Sequence, residues 1–312
     1  MMREAPPETT SAALIGVDWG TTHLRAYRIS SRGQTLERRQ SPRGISSLRH
    51  GEFADALDEL IRDWRNESLP VLLCGMVSSR QGWREVPYTA CPASLADVGT
   101  GLVQIETPSG GAWIVGGIST EDSRGRHDVM RGEETQIFGA CEDVGRRLIV
   151  APGTHSKWAL VHDRTVEHFR TYLTGELYAV LREHSSLGWA MEGREAEFDE
   201  RSFLAGVRAV HEDPDLSHTL FTVRTRTLFE GCEPGEQGAH LSGILIGNEI
   251  LSGLKHHAAD SITLIASASL GRWYSTAFSA LGRSDVKFVD AEDAVVQGLW
   301  KLWEFRGAHR ER

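Results

Sequence analysis

The chain has 312 residues, of which 40% are hydrophobic, and its formal net charge is −9. This length exceeds that of one typical domain, so we expect two lobes with ample core material. The acidic balance excludes broad nucleic-acid binding, because that binding depends on clustered Lys and Arg.

The sequence carries no sign of a membrane segment or a structural metal. No apolar run is long enough to cross a bilayer, and the N-terminal stretch lacks the basic and apolar regions of a signal peptide. We therefore expect a cytoplasmic protein. The four cysteines form no CxxC pair and no disulfide framework, and the 13 histidines show no HExxH motif. The pattern predicts reduced thiols.

The first half begins with a tail over residues 1–11 that we expect to be disordered. Apolar runs at 13–17 and 24–29 flank a polar turn, and a third strand is predicted at 35–40. Helical spacing predicts a helix over 53–64, and a buried strand follows at 71–74. A strand at 113–115 and a helix that begins after Arg131, with its apolar stripe at 137, 138, 141 and 144, complete a first lobe, residues 12–145.

The second lobe, residues 146–312, also opens with a strand, at 148–150, and a polar turn. A hairpin is predicted at 158–161 and 166–171, and helices over 174–184 and around 241–254. In the second of these, Gly243 and Gly247 would let another backbone approach closely. A strand at 262–266, a helix over 270–281, a strand at 286–289 and a helix around 294–303 follow. The fold class is therefore α/β.

The turn Asp18-Trp19-Gly20-Thr21-Thr22 lies between two predicted strands. Its backbone N–H groups and hydroxyls could hold phosphate oxygens, and Asp18 could hold magnesium through water. It is not a P-loop, because GxxxxGK[ST] is absent and a strand follows the turn. A polar hairpin turn with a local Asx bond is the alternative.

A second polar turn, residues 151–157, has the sequence Ala-Pro-Gly-Thr-His-Ser-Lys. Superposing Gly153 on Gly20 aligns two Gly-Thr pairs, which suggests that the lobes are distant copies, although two unrelated turns would also explain so short a match. Facing turns would clamp one nucleotide. Lys157 could instead be a solvated charge at a strand edge.

Small residues fill the segment 266–269, Ala-Ser-Ala-Ser, which joins a predicted buried strand to a helix. Small side chains let a flat base approach the backbone, so Ala266 and Ser267 are candidate nucleotide contacts. A plain tight connection between strand and helix would look similar.

Carboxylates stand at the start of the helix that follows a long polar loop, in the string Arg131-Gly132-Glu133-Glu134-Thr135. Phosphoryl transfer to an alcohol profits from a base that deprotonates the hydroxyl. Glu133 is the first candidate, ahead of Glu134 and Asp128. Glu in the first turn of a helix is, however, also favoured by the helix dipole alone.

Arginines crowd the loops of the same region. Arg131 is the candidate contact for a substrate carboxylate, since Arg binds carboxylates bidentately, and Glu134 is a second candidate substrate contact. This favours an acidic sugar over a neutral one.

Six strings carry a resemblance to a known family. They are VDWGTTHLRA (17–26), GMV (75–77), VMRGEETQ (129–136), PGTHSKW (152–158), TGEL (174–177) and LSGILIG (241–247). Through them the chain resembles the 2-dehydro-3-deoxygalactonokinases, within the superfamily of sugar kinases, hexokinase, Hsp70 and actin. The matching stretches run from about residue 13 to 300, and RGEETQ and PGTHSKW are the most specific.

The resemblance implies a two-lobed actin-like ATPase fold, a duplicated ribonuclease H-like fold with mixed sheets and a nucleotide cleft between the lobes. It also implies ATP-dependent, Mg²⁺-assisted phosphorylation of the terminal hydroxyl of 2-dehydro-3-deoxy-D-galactonate, giving the 6-phosphate in galactonate breakdown. By the same resemblance, magnesium and phosphate would be held by Asp18, Gly20, Thr21 and Thr22, the opposing phosphates by Gly153, Thr154, His155 and Lys157, and adenosine by residues 266–269.

The chain departs from the superfamily pattern at two places. Ala151-Pro152 stands where many members have Asp or Gly, which leaves one carboxylate of the usual type for the metal. Ala266 and Ser267 replace a pair of glycines near adenine. Two other functions stay open: a kinase of another sugar or aldonate, and an ATP-gated binding module of the same fold. The sequence leaves open the preference between galacto and gluco acids and the oligomeric state, a homodimer included.

Overall fold

A computed structural model describes residues 11–65, 69–141, 144–191, 198–257 and 261–310. Residues 1–10 of the predicted tail lie outside these ranges. The chain divides into two compact units. The first unit comprises residues 1–144, 164–167 and 291–312, and the second comprises residues 145–163 and 168–290.

Strands dominate the first half of the chain and helices the second. The strands are β1 (Ala12–Trp19), β2 (Leu24–Ser30), β3 (Thr35–Ser41), β4 (Val71–Gly75), β5 (Thr89–Ala90), β6 (Ala93–Ser94), β7 (Val103–Thr107), β8 (Gly110–Ile114), β9 (Ile118–Glu121), β10 (His127–Met130), β11 (Arg146–Ala151), β12 (Ser156–His162), β13 (Thr165–Tyr172), β14 (Ser261–Ala266) and β15 (Val286–Asp290). The α-helices are α1 (Phe53–Arg65), α2 (Leu95–Thr100), α3 (Glu133–Ala140), α4 (Thr174–His184), α5 (Glu200–Glu212), α6 (Leu216–Leu220), α7 (Thr222–Phe229), α8 (Pro234–His256), α9 (Ala268–Ala280) and α10 (Ala291–Arg310).

The first unit is built on a mixed sheet with the strand order β3-β2-β1-β4-β8-β7. Strand β1 pairs antiparallel with β2 and parallel with β4. Helix α1 buries Phe53, Leu57, Ile61 and Trp64, which recur every three or four residues and so share one face. These side chains join Val17 of β1 in one core cluster. The core therefore fixes the strand that leads into the first polar turn.

Helix α10, at the C-terminus, packs against α3 within the first unit. A Cβ added at Gly139 would lie 1.8 Å from the Ala294 carbonyl oxygen, and one added at Gly298 would lie 1.9 Å from the Thr135 carbonyl oxygen. The two backbones therefore approach each other without intervening side chains.

Lys301 fastens the far end of α3 to α10. Its Nζ donates to the carbonyl oxygens of Phe138, Gly139 and Cys141 at 3.1, 2.8 and 3.1 Å. These carbonyls belong to the end of α3, where helical backbone acceptors need outside donors. The predicted division assigned residues 291–312 to the second lobe, whereas these contacts place them in the first unit.

The second unit has a sheet with the order β15-β14-β11-β12-β13. Strand β11 pairs antiparallel with β12 and parallel with β14. Helix α8 packs closely on α5: a Cβ at Gly243 would lie 2.0 Å from the Phe203 carbonyl oxygen, and one at Gly247 would lie 2.8 Å from a Val210 methyl carbon. The predicted close approach at these two glycines is confirmed.

The predicted α/β class is confirmed, and the predicted strands and helices are present, except that α3 ends at Ala140 and does not reach Val144, the last residue of its predicted apolar stripe. The prediction missed the strands β5, β6, β7, β9 and β10 and the helix α2, because elements of two to six residues carry too little hydrophobic pattern. It also gave no bounds for α5, α6 and α7. Among the described residues, no helix combines the length and apolar character that crossing a membrane requires.

The contact between α3 and α10 predicts unequal effects for the same substitution at two sites in α10. Gly298→Ala forces a methyl group against backbone and should lower the free energy of unfolding by about 1–3 kcal/mol. Gly307→Ala, with nothing within 4 Å of the added Cβ, should be neutral or stabilising by up to about 1 kcal/mol. Urea denaturation of both variants measures the difference, and equal midpoints would contradict the close packing of the two helices.

His257 predicts a pH dependence of stability. The residue is 4% exposed and its ring stacks on His168 and Trp158. Burial, with the positive charges of His168, Arg170 and His256, lowers its pKa from 6.5 to about 4. Because the folded pKa is depressed, the stabilising effect is complete above about pH 6.5 and is lost as pH falls toward 4, by up to about 1.4 kcal/mol per pH unit.

The measurement is the free energy of unfolding at pH 7, 6, 5 and 4. His257→Gln should show a shallower loss than the unmodified chain. His211→Gln, at an exposed position of α5, should keep the original slope. An unchanged slope in His257→Gln would show that this histidine does not contribute.

Candidate functional site

Asp18 lies near the end of β1, directly opposite Arg25 of β2 and beside Cys74 of β4. Its side chain is 18% exposed, and Arg25 Nη1 lies 3.4 Å from Asp18 Oδ2. Burial raises the pKa of Asp18; Arg25 opposes this rise, while the charge of Glu133 adds to it. Asp18 is therefore a desolvated carboxylate with a second carboxylate in electrostatic range.

The first polar turn is held from one side by the loop after β3. The Gly20 N–H donates to the His23 carbonyl oxygen at 2.9 Å, so a backbone hydrogen bond closes the turn. The carbonyl oxygens of Gly20, Thr21 and Thr22 accept from N–H groups of residues 45, 46 and 44. Thr21 and Thr22 are exposed. The turn thus directs its carbonyls toward the protein and keeps its two threonines at the surface of the unit.

Glycines bring the start of α3 close to Asp18. Gly75 has φ +93°, and a Cβ added there would lie 2.8 Å from the Trp19 carbonyl oxygen and 3.2 Å from Asp18 Oδ1. Gly132 has φ +110°, and a Cβ added there would lie 3.1 Å from Gly75 Cα. Only glycine tolerates both the backbone angle and the space at these positions. The ends of β1 and β4 and the start of α3 therefore meet.

Glu133 and Glu134, at the start of α3, differ in exposure and in their hydrogen-bond partners. Glu133 is half-buried, and its Oε2 accepts from the Arg131 N–H at 3.0 Å. Glu134 is 1% exposed and accepts from the Gly132 N–H at 2.6 Å and from the Thr135 hydroxyl at 2.9 Å. Burial and then the charge of Glu133 raise the pKa of Glu134 to about 7. Glu134 holds the start of the helix, whereas Glu133 is the more accessible carboxylate.

Arg131 is 9% exposed, and its guanidinium binds protein groups. It donates to the carbonyl oxygen and hydroxyl of Ser78 at 2.5 and 2.7 Å and to the Val86 carbonyl oxygen at 3.1 Å. Its guanidinium also lies 4.2 Å from the centre of the Tyr88 ring. These contacts connect the start of α3 to the loop after β4. Arg131, which was predicted to bind substrate, therefore has a structural role.

Asp128, the third candidate base, lies in β10, where its Oδ1 accepts from the Val129 N–H at 2.8 Å.

Asp18 and Glu133 are the carboxylates that a magnesium ion would find near the first polar turn. No group of three or more His, Cys, Asp or Glu side chains with metal-ligand spacing occurs among the described residues. Mg²⁺ commonly uses one or two carboxylates and completes its shell with water and substrate phosphates. A desolvated Asp18 next to the charge of Glu133 suits a cation of this kind.

The second polar turn joins β11 to β12, with Ala151 opposite Lys157. Successive side chains of a strand point to opposite faces, so Ser156 and Trp158 share one face and Lys157 takes the other. Lys157 is 5% exposed, and its Nζ donates to the Thr171 hydroxyl at 2.9 Å. It is therefore a buried amine rather than the solvated strand-edge charge that the sequence left open.

Helix α4 packs its first turn against this polar turn. The Glu176 N–H donates to the Thr154 carbonyl oxygen at 3.0 Å, and His155 Nε2 hydrogen-bonds to the Glu176 carboxylate. A Cβ at Gly175 would lie 2.5 Å from the Gly153 carbonyl oxygen. The string TGEL thus supports the turn PGTHSK within one unit.

A cavity of about 320 Å³ opens beside the second polar turn. It is lined by Gly153, Thr174, Gly175, Tyr178, Arg182, Ser242, Leu245, Ile246, Leu270, Trp273 and Tyr274. All of these belong to the second unit. A mostly apolar cavity with a few polar groups is the usual form of a small-molecule site.

The predicted small-residue segment borders this cavity without lining it. Ala266 ends β14 and is 2% exposed, and Ser267 is the N-cap of α9, where its hydroxyl accepts from the Leu270 N–H at 3.4 Å. The cavity wall begins at Leu270. The strings TGEL and LSGILIG already contained five of the lining residues, and Gly153 was a predicted phosphate contact. Sequence reasoning missed the other five, which are Tyr178, Arg182, Leu270, Trp273 and Tyr274.

Comparison with known proteins assigns the chain to a family. The profile of the 2-keto-3-deoxy-galactonokinase family matches residues 18–302. The 2-dehydro-3-deoxygalactonokinase of Escherichia coli is 38% identical over 294 residues, which cover 93% of this chain and 97% of that enzyme. A Rhizobium meliloti protein named as a probable 2-dehydro-3-deoxygalactonokinase is 37% identical, over 93% of this chain and 96% of its own length.

Solved structures agree with this assignment. The crystal structure of a candidate 2-dehydro-3-deoxygalactonokinase from Sinorhizobium meliloti superposes with a TM-score of 0.83 at 35% identity, over 93% of this chain and 97% of that one. The activator of 2-hydroxyisocaproyl-CoA dehydratase from Clostridium difficile, solved with bound ADPNP, shares the fold at a TM-score of 0.51 and 11% identity, over 96% and 97% of the two chains. The predicted actin-like ATPase fold is confirmed, and the chain belongs to the 2-keto-3-deoxy-galactonokinase family.

Proposed function

We propose that this protein transfers the γ-phosphoryl group of ATP to the terminal hydroxyl of 2-dehydro-3-deoxy-D-galactonate, giving the 6-phosphate. The observation that carries the proposal is the family match over residues 18–302, together with 38% identity to the Escherichia coli enzyme of that name. Such an enzyme, which consumes ATP in catabolism, would act in the cytoplasm. A homodimeric state stays a prediction.

The first unit would supply the groups that act on the transferred phosphoryl and on the acceptor hydroxyl. Asp18 would hold Mg²⁺ through water, and the ion would neutralise charge on the phosphates when bound. Gly20, Thr21 and Thr22 would contact phosphate oxygens. The carboxylate of Glu133 would orient the acceptor hydroxyl and accept its proton during transfer. Its half-buried position supports this role over that of Glu134, which is 1% exposed.

The second unit would bind the nucleoside part of ATP. The cavity beside Gly153 has apolar walls from Leu245, Ile246 and Leu270 and an aromatic wall from Trp273. Its volume of about 320 Å³ lies within the usual range for small-ligand sites. The contacts of Gly153, Thr154, His155 and Lys157 with phosphate stay a prediction, as does the binding of one triphosphate by both polar turns.

Arg131 and Glu134 were predicted to bind the sugar acid directly. Their hydrogen bonds to backbone and hydroxyl groups of the first unit support an indirect role. We propose that both residues position Glu133, because they hold the two sides of the turn that precedes it.

A substrate panel tests the proposed activity against its two alternatives. With Mg·ATP, ADP release should occur with 2-keto-3-deoxy sugar acids and not with neutral hexoses or plain aldonates, because the family match specifies the keto-deoxy acid. Turnover on neutral hexoses would reject this substrate. Slow hydrolysis that is independent of any acceptor would instead favour an ATP-gated binding module.

Substitution of Glu133 tests the assignment of the base. Glu133→Gln keeps the size of the side chain but removes its basicity, so kcat should fall about 100-fold or more while ATP still binds. Steady-state ADP release and equilibrium ATP binding measure the two effects. Glu121→Gln, which removes an exposed carboxylate of β9, should leave kcat unchanged. Near-normal turnover in Glu133→Gln would move the role to Glu134 or Asp128.

A further inference from the structure

A buried carboxylate in α8 joins the second polar turn to the wall of the cavity. Glu249 is 1% exposed. Its Oε1 accepts from the Trp158 indole N–H at 2.7 Å, and its Oε2 accepts from the Tyr274 hydroxyl at 2.6 Å. One carboxylate therefore binds donors from β12 and α9.

The donors fix the direction of a hydrogen-bonded chain. Tyr274 has one proton and gives it to Glu249, so its oxygen can only accept from Ser156, which lies 3.1 Å away. Ser156 then gives its proton to Tyr274, and its oxygen accepts from the Gly153 N–H at 3.4 Å. The chain runs from Gly153 through Ser156 and Tyr274 to Glu249. It reaches from the backbone of the polar turn to the interior of the unit.

The same direction decides what the cavity offers to a ligand. Tyr274 lines the cavity and directs its hydroxyl proton to Glu249. Its oxygen can therefore act only as an acceptor toward a bound molecule. A nucleoside, with ribose hydroxyls and an exocyclic amine, supplies donors of the matching kind.

Burial raises the pKa of Glu249, and the hydrogen bonds from Trp158 and Tyr274 oppose the rise. The Trp158 indole N–H can only donate, and the Tyr274 hydroxyl donates as well, so both oxygens of Glu249 act as acceptors. This is the direction that the chain of hydrogen bonds needs.

We infer that Glu249 is a positioning residue for nucleotide binding: it orders the second polar turn through Tyr274 and Ser156 and sets Tyr274 as an acceptor in the cavity. The inference rests on the proposed function, since it takes the cavity as the nucleoside site. Glu249 itself does not touch the ligand. Its effect should therefore appear in the affinity for ATP and not in that for the sugar acid.

Glu249→Gln changes the chain of hydrogen bonds at one defined point. The indole N–H of Trp158 can only donate, so the amide oxygen of the glutamine must face Trp158, and the amide NH₂ must face Tyr274. Tyr274 can then no longer donate to residue 249, and the direction of the hydrogen bonds from Ser156 to Tyr274 is no longer fixed. We expect KM for ATP to rise about tenfold, the effect of losing one hydrogen bond to a charged group, with kcat within about threefold and KM for the sugar acid unchanged.

Tyr274→Phe is the second variant, because it interrupts the same chain without a new buried donor. It should raise KM for ATP to a similar extent, and the double variant should show little further effect, since residues of one network are not additive. If Glu249→Gln does not fold, as judged by thermal melting, Tyr274→Phe alone decides the matter. Ser252→Ala is the matched control: its hydroxyl lies in the same helix and contacts Tyr172 at 3.3 Å, and its loss should leave both KM values unchanged.

Ser242→Phe separates failure of this inference from failure of the nucleoside site. Its ring would fill the cavity, so KM for ATP should rise at least about tenfold. If Ser242→Phe has no effect, the cavity does not bind the nucleotide and the inference falls with it. If Ser242→Phe weakens ATP binding while folded Glu249→Gln and Tyr274→Phe keep the original KM, or if the double variant is additive, the inference about Glu249 is overturned and the cavity assignment stands.

Discussion

Desolvation of carboxylates beneath two polar turns constrains both units of this protein. A buried carboxylate is costly unless it is paired or hydrogen-bonded, so each must be supplied with partners by the surrounding fold. Asp18 has Arg25 at 3.4 Å and shares its surroundings with Glu133. Glu249 has the donors of Trp158 and Tyr274. The first arrangement leaves net negative charge for a cation, whereas the second is satisfied by neutral donors.

Under the proposed function, this difference separates the chemical roles of the two units. Two carboxylates with only one neighbouring arginine suit the place of phosphoryl transfer, because a metal ion can neutralise their remaining charge and a substrate hydroxyl can give its proton to one of them. A carboxylate saturated by neutral donors suits a binding wall, since it orders hydroxyl groups without attracting a cation. The two polar turns have similar sequences, but the groups beneath them differ.

Within each unit, close backbone contacts at glycines bring the polar turn and its neighbouring elements together. Gly75 and Gly132 let the ends of β4 and α3 meet beside Asp18, and Gly175 lets α4 press on the second turn. Three of the strings that matched the family, GMV, RGEETQ and TGEL, each contain one of these glycines. Their residues are explained by backbone space as much as by contact with a ligand.

Local patterns in the sequence determined the α/β class, the two polar turns, the helix that starts at Glu133 and the close approach at Gly243, because each depends on periodicity or on residue types within a few positions. Tertiary structure alone decided three further points: α10 joins the first unit, Lys157 and Arg131 bind protein groups, and Glu249 lies beneath the second turn. Each of these depends on side chains far apart in sequence, such as Lys301 with Phe138 or Glu249 with Trp158. A one-dimensional pattern cannot show which distant donor a buried acceptor will meet, since only packing brings the two together.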